Sequence, residues 1–470
     1  MAASRTNIEG LDIHVVVLAA GKGTRMKSRQ PKVLHRISGL TIIERVIRTA
    51  AALMPASITL VVGHGADEVR QSLAKRTSLK FVTQEKQLGT GHALLQTRPL
   101  LEGKSGTLVL LSGDAPLLTL DSINALLAAH RDATAAATVI TANFPKPFGY
   151  GRIIRTRGQI SKIVEDRDAS PAQKKITEIN SGIYAFDLPP LFAALDSIST
   201  ANKQGEYYLP DLVGIYRKQK KPVATFTVER GDEIRGINSR TELAEVTTMV
   251  RQQKNEELMA SGVTLIDPAT TYIDADVIVG PDTVIFPCVF LEGTTKIGSA
   301  CEIHSGTRIV NSTIGDRVCV RNHTVVTDST VESGAFLGPF AHIRPDSRIG
   351  EDVHIGNFVE LKKTTMGKGA KANHLAYLGD ATIGTKTNVG AGTITCNYDG
   401  EKKHPTVIGN NVFVGSNSTI VAPVTLADGS YIAAGSAVTT DVPEGALAIG
   451  RSRQENKEGW VAKRQAEKTK

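Results

Sequence analysis

Three stretches of this chain hold residues whose types and spacing can do chemistry. The first is Leu18-Ala-Ala-Gly-Lys-Gly-Thr-Arg-Met26, followed shortly by Pro31-Lys32. Its glycines let backbone N–H groups approach an anion, Arg25 can hold phosphate oxygens through two donors, and Lys32 adds a second cation. It is neither a P-loop nor a dinucleotide fingerprint, because GxxxxGK[ST] is absent and GxGxxG fails at Met26. A bare GxG also fits a tight turn from strand to helix. The second stretch runs from Leu108 through Ser112-Gly-Asp114. A carboxylate at the end of an apolar strand is a natural Mg²⁺ ligand, since that ion prefers oxygen and keeps several waters; a strand-end cap is the plainer alternative. The third is His374, with Tyr377 three residues on. A histidine near neutral pH can take a proton from an attacking nucleophile. No Cys or Ser nucleophile motif is evident, which favours direct transfer over a covalent enzyme intermediate. Most of the 11 histidines, His14 and His304 among them, read as packed or surface side chains.

These residues need elements to position them. From His14 to Gly236 short β-branched runs (His14–Ala20, Ser57–Val62, Lys80–Val82, Thr107–Leu111, Ala137–Ala142) alternate with helical stretches such as Thr41–Leu53 and Leu120–His130. Such alternation predicts a mostly parallel sheet covered by helices, with ligands at the carboxyl ends of its strands. Ser239-Arg-Thr-Glu242 matches a capping box, Leu243, Val246, Val250 and Leu258 give a partial helical stripe, and Gly262 is a plausible stop. A helix of that length spans about 30 Å, enough to hold two domains apart. The expected divisions are residues 1–237, a linker helix over 238–262, and residues 263–470.

Beyond Gly262 aliphatic residues recur every six positions. One series starts Val279, Ile285, Leu291, Ile297; others run Val331 to Leu361 and Ile408 to Val438, often with Gly next. Six is the hexapeptide period of a parallel β-helix, in which three short strands close one coil and coils stack at about 4.8 Å. The period is lost over Lys362–Thr382, which carries His374, and again over Thr395–Val407. Both breaks predict loops thrown out on one face.

Composition narrows the class. The 470 residues are 41% apolar and 22% charged, an ordinary globular balance with room for two to four domains. No apolar run is long enough to span a bilayer, and the N-terminus lacks the basic flank and apolar stretch of a secretory signal. Cys288, Cys301, Cys319 and Cys396 lack CxxC spacing, which disfavours a zinc site or a disulfide framework and suits a reducing cytosol. The net charge is +8, half of it in the tail Arg451–Lys470, and aromatic content is 5%. That favours phosphorylated small molecules or plain solubility over nucleic acid.

LxxGxGTRM followed by PKVL resembles the sugar-1-phosphate nucleotidyltransferases. Gln84 with Leu88-Gly-Thr-Gly-His92, Ser112-Gly-Asp114, Gly149-Tyr-Gly-Arg152, Glu165, Glu178-Ile-Asn-Ser-Gly182 and Gly236-Ile-Asn238 follow in order. With the hexapeptide half, residues 14–460 are similar to the bifunctional bacterial family of N-acetylglucosamine-1-phosphate uridyltransferase/glucosamine-1-phosphate N-acetyltransferase. The resemblance implies a Rossmann-like mixed-sheet nucleotidyltransferase domain, a linker helix and a left-handed parallel β-helix. It implies UTP and acetyl-CoA as co-substrates, and Mg²⁺ held at Asp114 and Asn238. Arg25 and Lys32 would hold the phosphates. Leu18, Ala19, Ala20, Gly21, Gln84, Gly89 and Thr90 would cradle uracil and ribose, beside Ser112. Gly151, Glu165 and Asn180 would read N-acetylglucosamine. His374 would be the base of acetyl transfer; Arg344, Lys362, Tyr377 and Asn388 would bind glucosamine 1-phosphate. Ala391, Asn397, Tyr398, Ser416, Ala434 and Arg451 match positions contacting acetyl-CoA. The resemblance also implies a cytoplasmic homotrimer making UDP-N-acetylglucosamine for cell-envelope polysaccharide. The rivals are a monofunctional nucleotidyltransferase whose β-helix only assembles or regulates subunits, and a non-catalytic scaffold.

Overall fold

A computed structural model describes residues 12–468. The expected absence of a secretory signal concerns residues 1–11, which lie outside the described residues, as do the last two of the basic tail. The chain divides into two units, one through Val250 and one from Arg251.

The first unit is built on a nine-stranded mixed sheet. Seven strands lie in the order Val223–Thr227, Ala137–Asn143, Glu178–Asp187, Thr107–Ser112, Ile13–Ala19, Ser57–Val62, Leu79–Thr83. The last four are parallel neighbours. Glu178–Asp187 runs antiparallel to both neighbours, so the sheet is less uniformly parallel than the alternation alone predicts. A hairpin of Arg152–Thr156 and Gln159–Val164 branches from it. Val15, Val17, Leu60, Val109 and Leu111 pack on one face against Val46 and Ile47 of the helix Ile42–Ala52, and against Ile123 and Leu127 of Leu120–Asp132. Val16, Leu108 and Leu110 pack on the other with Leu191 and Leu212. Burial on both faces explains why these strands read as unbroken apolar runs.

The helix Arg240–Ala260 starts on the expected capping box. Glu242 N–H donates to Ser239 Oγ (3.2 Å), and Glu242 Oε2 accepts from the Ser239 N–H (3.2 Å). Val246 and Val250 join a small cluster of the first unit, and Leu258 joins the core of the second.

The second unit is a three-faced parallel β-helix, with sheets of 11, 10 and 9 strands among the described residues. Each strand pairs in parallel with its equivalent one coil on: Val284 faces Glu302, which faces Cys319, which faces Phe336. The predicted inward residues form one core, Ile285, Ile303, Val320, Leu337 and Ile355 among them. One expectation fails. The coils continue through Lys362–Thr382, with Met366, Ala372, Leu378 and Ile383 in the inward places. A methionine, an alanine and two five-residue steps hid the repeat from a count of aliphatic residues at six. The second break is a real excursion between the strands Ile394–Cys396 and Thr406–Ile408. At its edge Thr395 is buried, while Ile394 is 45% exposed. The basic tail contains the exposed helix Trp460–Lys468.

Candidate active sites

The carboxyl ends of the parallel strands Ile13–Ala19, Leu79–Thr83 and Thr107–Ser112 open onto a cavity of about 410 Å³. The strand Ile13–Ala19 delivers Leu18, Ala19, Ala20 and Gly21 to its wall, and Thr107–Ser112 delivers Ser112 and Asp114. Lys32 enters from a short 3₁₀ turn whose preceding residue, Pro31, fixes its approach. Its ammonium donates to Asp114 Oδ2 and, at 3.1 Å, to Asn238 Oδ1. Three residues far apart in sequence thus converge on one point. Asn238 is held there by the backbone bond from Ile237 N–H to Asp114 O (3.0 Å). Burial works against the Asp114 carboxylate, but Lys32 and the Ser112 hydroxyl, which donates at 2.6 Å, outweigh it and hold its pKa below the usual range. Arg25 does not join them; it is exposed on the turn Thr24–Met26, outside the cavity lining.

Gln84, Gly89 and Thr90 line another wall. Gly89 has φ +105°, and a Cβ there would meet Tyr207 O at 2.6 Å, so only glycine fits. The Gln84 amide nitrogen lies 3.1 Å from Gly89 O and 3.0 Å from His92 Nδ1, which leaves its carbonyl oxygen for a ligand. Opposite stand Gly151, Glu165 and Asn180. Tyr184 O–H donates to Asn180 Oδ1 (2.9 Å), so Asn180 offers its amide nitrogen. Buried Arg152 anchors this wall through Asp166 at 3.0 Å. Burial, then Asp168, Asp211, Asp166 and Glu206, push the Glu165 carboxyl up to about 7.

In the second unit His374 is exposed and ends the strand Lys371–His374 on a corner of the prism, within a regular coil and not in a loop. Gly392 N–H bonds to His374 O, Asn417 N–H to Ala391 O, and Gly435 N–H to Ser416 O. The ladder places His374, Ala391, Ser416 and Ala434 along one ridge in successive coils; the Arg451 chain reaches Gly435 at its end. Around the corner, the strands Glu360–Lys362 and Tyr377–Gly379 are neighbours. Arg344 lies one coil before Lys362 and donates to Glu360 Oε1 at 2.7 Å. A Cβ on Gly379 would lie 2.5 Å from Tyr377 Oη and 2.7 Å from Asn397 Nδ2, so that glycine lets the two side chains meet. Asn397 is buried and bonds Asp380, while Tyr398 stays exposed on the excursion. Asn388 pairs with Lys371, one coil on from the strand that ends at His374. Reading the sequence missed two neighbours. Asn357 faces His374 across the ladder, with Oδ1 2.7 Å from Nδ1. Lys403, on the excursion, faces the Lys362 ammonium, which pushes its pKa down. Neither follows from local spacing, because each is one coil or one loop away.

Among the described residues no helix is long and apolar enough to cross a membrane. Residues 15–178 match the MobA-like NTP transferase domain, and residues 328–363 and 405–440 match the bacterial transferase hexapeptide (six repeats). The bifunctional protein GlmU of Koribacter versatilis (strain Ellin345) is 51% identical over 97% of this chain and 98% of its own length. Proteins of the same name from Pelobacter propionicus and Shouchella clausii are 48% and 47% identical, over 96% and 95% of this chain and 98% of each relative. The similarity thus runs end to end through both units, and the chain belongs to the bifunctional GlmU family.

Proposed function

We propose that the chain acetylates glucosamine 1-phosphate with acetyl-CoA on the prism and then transfers UMP from UTP to N-acetylglucosamine 1-phosphate in the cavity, giving UDP-N-acetylglucosamine. We assign the uridyl step to residues 1–237, a linker role to 238–262 and the acetyl step to 263–470. The observation that carries the reading is the convergence of Lys32, Asp114 and Asn238 on one point of a cavity at the strand ends.

In the cavity the sugar phosphate oxygen attacks the α-phosphorus and pyrophosphate leaves. Charge gathers on phosphate oxygens, so cations and positioning carry catalysis. Asp114 and Asn238 both offer oxygen to the point where the Lys32 ammonium sits, a donor set that suits Mg²⁺. When bound, that ion supplies charge neutralisation on the phosphates. Lys32 would then turn to the phosphates. Arg25 would reach the triphosphate from outside the lining. Leu18–Gly21, Gln84, Gly89 and Thr90 hold uracil and ribose, and Gly151, Glu165 and Asn180 hold the sugar.

On the prism the amine of the sugar attacks the thioester carbonyl, His374 Nε2 takes the amine proton, and coenzyme A leaves as its thiolate. With Nδ1–H donating to Asn357 Oδ1, the Nε2 lone pair faces outward. Arg344, Lys362 and Lys403 meet the phosphate; Tyr377 and Asn388 hold the sugar. Ala391, Asn397, Tyr398, Ser416, Ala434 and Arg451 lie along the acetyl-CoA arm. A homotrimer is supported by the exposed apolar row Phe340, Phe358 and Leu375 beside His374, in which Phe340 and Phe358 stack at 5.3 Å. The proposed substrates support a cytoplasmic location.

The test is one reaction with glucosamine 1-phosphate, acetyl-CoA, UTP and Mg²⁺. Thiol release, pyrophosphate release and the sugar nucleotide should all appear. Pyrophosphate without thiol, when N-acetylglucosamine 1-phosphate is supplied, would leave a monofunctional enzyme.

A further inference from the structure

One face of the prism holds a cluster that neither transferase reaction uses. Glu302 and His304 flank the inward Ile303, so both side chains leave the coil on the outer face. Cys319 is the in-register partner of Glu302 on the next coil. A donor atom of each residue, carboxylate O, imidazole N and Sγ, lies within 4.8 Å of the others. Glu302 Oε2 and His304 Nε2 are 3.2 Å apart.

The cluster is organised by its surroundings. The His304 ring stacks on Phe286 at 4.5 Å and 9°, which fixes its plane. The strands beneath are tied down by Ile303 and Val320, both fully buried. His304 and Cys319 are partly buried, and Glu302 stands at the solvent rim. A histidine–glutamate hydrogen bond needs no thiol; three donors of three types converging from two coils do more than that bond requires. Tetrahedral zinc, with bonds of about 2.0–2.3 Å, holds its donors about 3.3–3.6 Å apart. A rotation of the exposed Glu302 carboxylate and a small turn of the thiol close the set. Arg321, two residues beyond Cys319, opposes a cation here: its guanidinium donates to the Cys319 sulfur and lies over the Phe336 ring at 5.9 Å, and it must turn away for an ion to bind.

We propose that Glu302, His304 and Cys319 bind one divalent ion of the zinc class, with a fourth position left to water. The mixed S, N and O donors select a borderline metal over Mg²⁺. Absence of CxxC spacing does not speak against it, because the ligands meet across coils and not along the chain.

Cobalt reports the thiolate directly. The full chain, stripped with chelator and titrated with Co²⁺ under anaerobic conditions, should show a thiolate-to-cobalt charge-transfer band that saturates at one ion per chain and is displaced by Zn²⁺. The oxygen donors at Asp114 and Asn238 cannot give that band. It should vanish in Cys319→Ser and survive in Cys288→Ser, and His304→Gln should weaken Zn²⁺ binding about tenfold or more. In the unaltered chain, Zn²⁺ should also slow alkylation of Cys319 and leave that of Cys288 unchanged. No band, a band that persists in Cys319→Ser, or equal Cys319 alkylation with and without Zn²⁺ would overturn the proposal. The alkylation arm decides it even where a variant fails to fold.

Discussion

Lys32 stands where two oxygen donors meet, and its neighbours carry the sharpest expectations. Asp114→Asn keeps the shape and removes the charge. Uridyl transfer should fall a hundredfold or more, about 3 kcal/mol of transition-state stabilisation, while acetyl transfer is unchanged. Near-normal pyrophosphate release would refute the role. Glu165 is the pH-sensitive residue. Its carboxyl is raised to about 7, so it is protonated below that pH and can donate to a sugar oxygen; above it the donor is lost. KM for N-acetylglucosamine 1-phosphate should therefore rise as pH passes 7, and Glu165→Gln should flatten the rise. The same shift means the folded chain binds this proton more tightly than the unfolded one, so its contribution to stability is present in acid and lost as pH climbs through about 7. On the prism, Asn357→Ala should lower kcat for acetyl transfer about tenfold with little change in KM, and move the acid limb of the pH profile. An unmoved profile would leave Asn357 structural. The cavity residues were legible in sequence because they sit on local motifs at strand ends. Asn357 and Lys403 were not, because proximity across a coil leaves no trace in local spacing, and Arg25 shows the converse: a motif residue that the backbone turns outward.

Elements were easiest to read where a single period or cap specifies them. The Ser239 box does begin the helix, and Ser239→Ala should cost about 1 kcal/mol in denaturant unfolding of the first unit. Coils were legible wherever β-branched or leucine side chains fill them, since one face is buried and register is strongly specified. They were hidden where Met366 and Ala372 fill the same place, because a period search sees residue types and the core only requires volume. Thr395 is the instructive case. Its hydroxyl accepts from Gly379 N–H (2.8 Å) and reaches Gly379 O (3.1 Å), so the buried place goes to a polar residue beside an exposed isoleucine. Thr395→Val, nearly isosteric, should cost about 1–3 kcal/mol by stranding a buried donor. A neutral effect in chemical denaturation would show that the hydroxyl is dispensable.

For the whole molecule, the two activities should part company on dilution. The cavity is enclosed within the first unit, whereas His374 and the Phe340–Phe358 row lie open on the prism. Specific acetyl-transfer activity should fall as protein is diluted towards the subunit dissociation constant, while uridyl transfer per chain holds steady. Acetyl transfer that holds as steady as uridyl transfer would argue that the acetyl site is complete in one copy. The coil ladder also sets what evolution can do to this chain's length. Between the terminal coils, where the step is 20 at the first and 16 at the last, pairing recurs at separations of 17 or 18 residues, and the excursion after Cys396 lengthens one coil to 25 without disturbing the strands on either side. Insertions at corners are thus free to vary, whereas a gain or loss inside a strand turns a greasy face to water. Surviving relatives should differ by whole turns or by corner loops, so that alignment gaps fall in quanta, like pages added to or torn from a bound book.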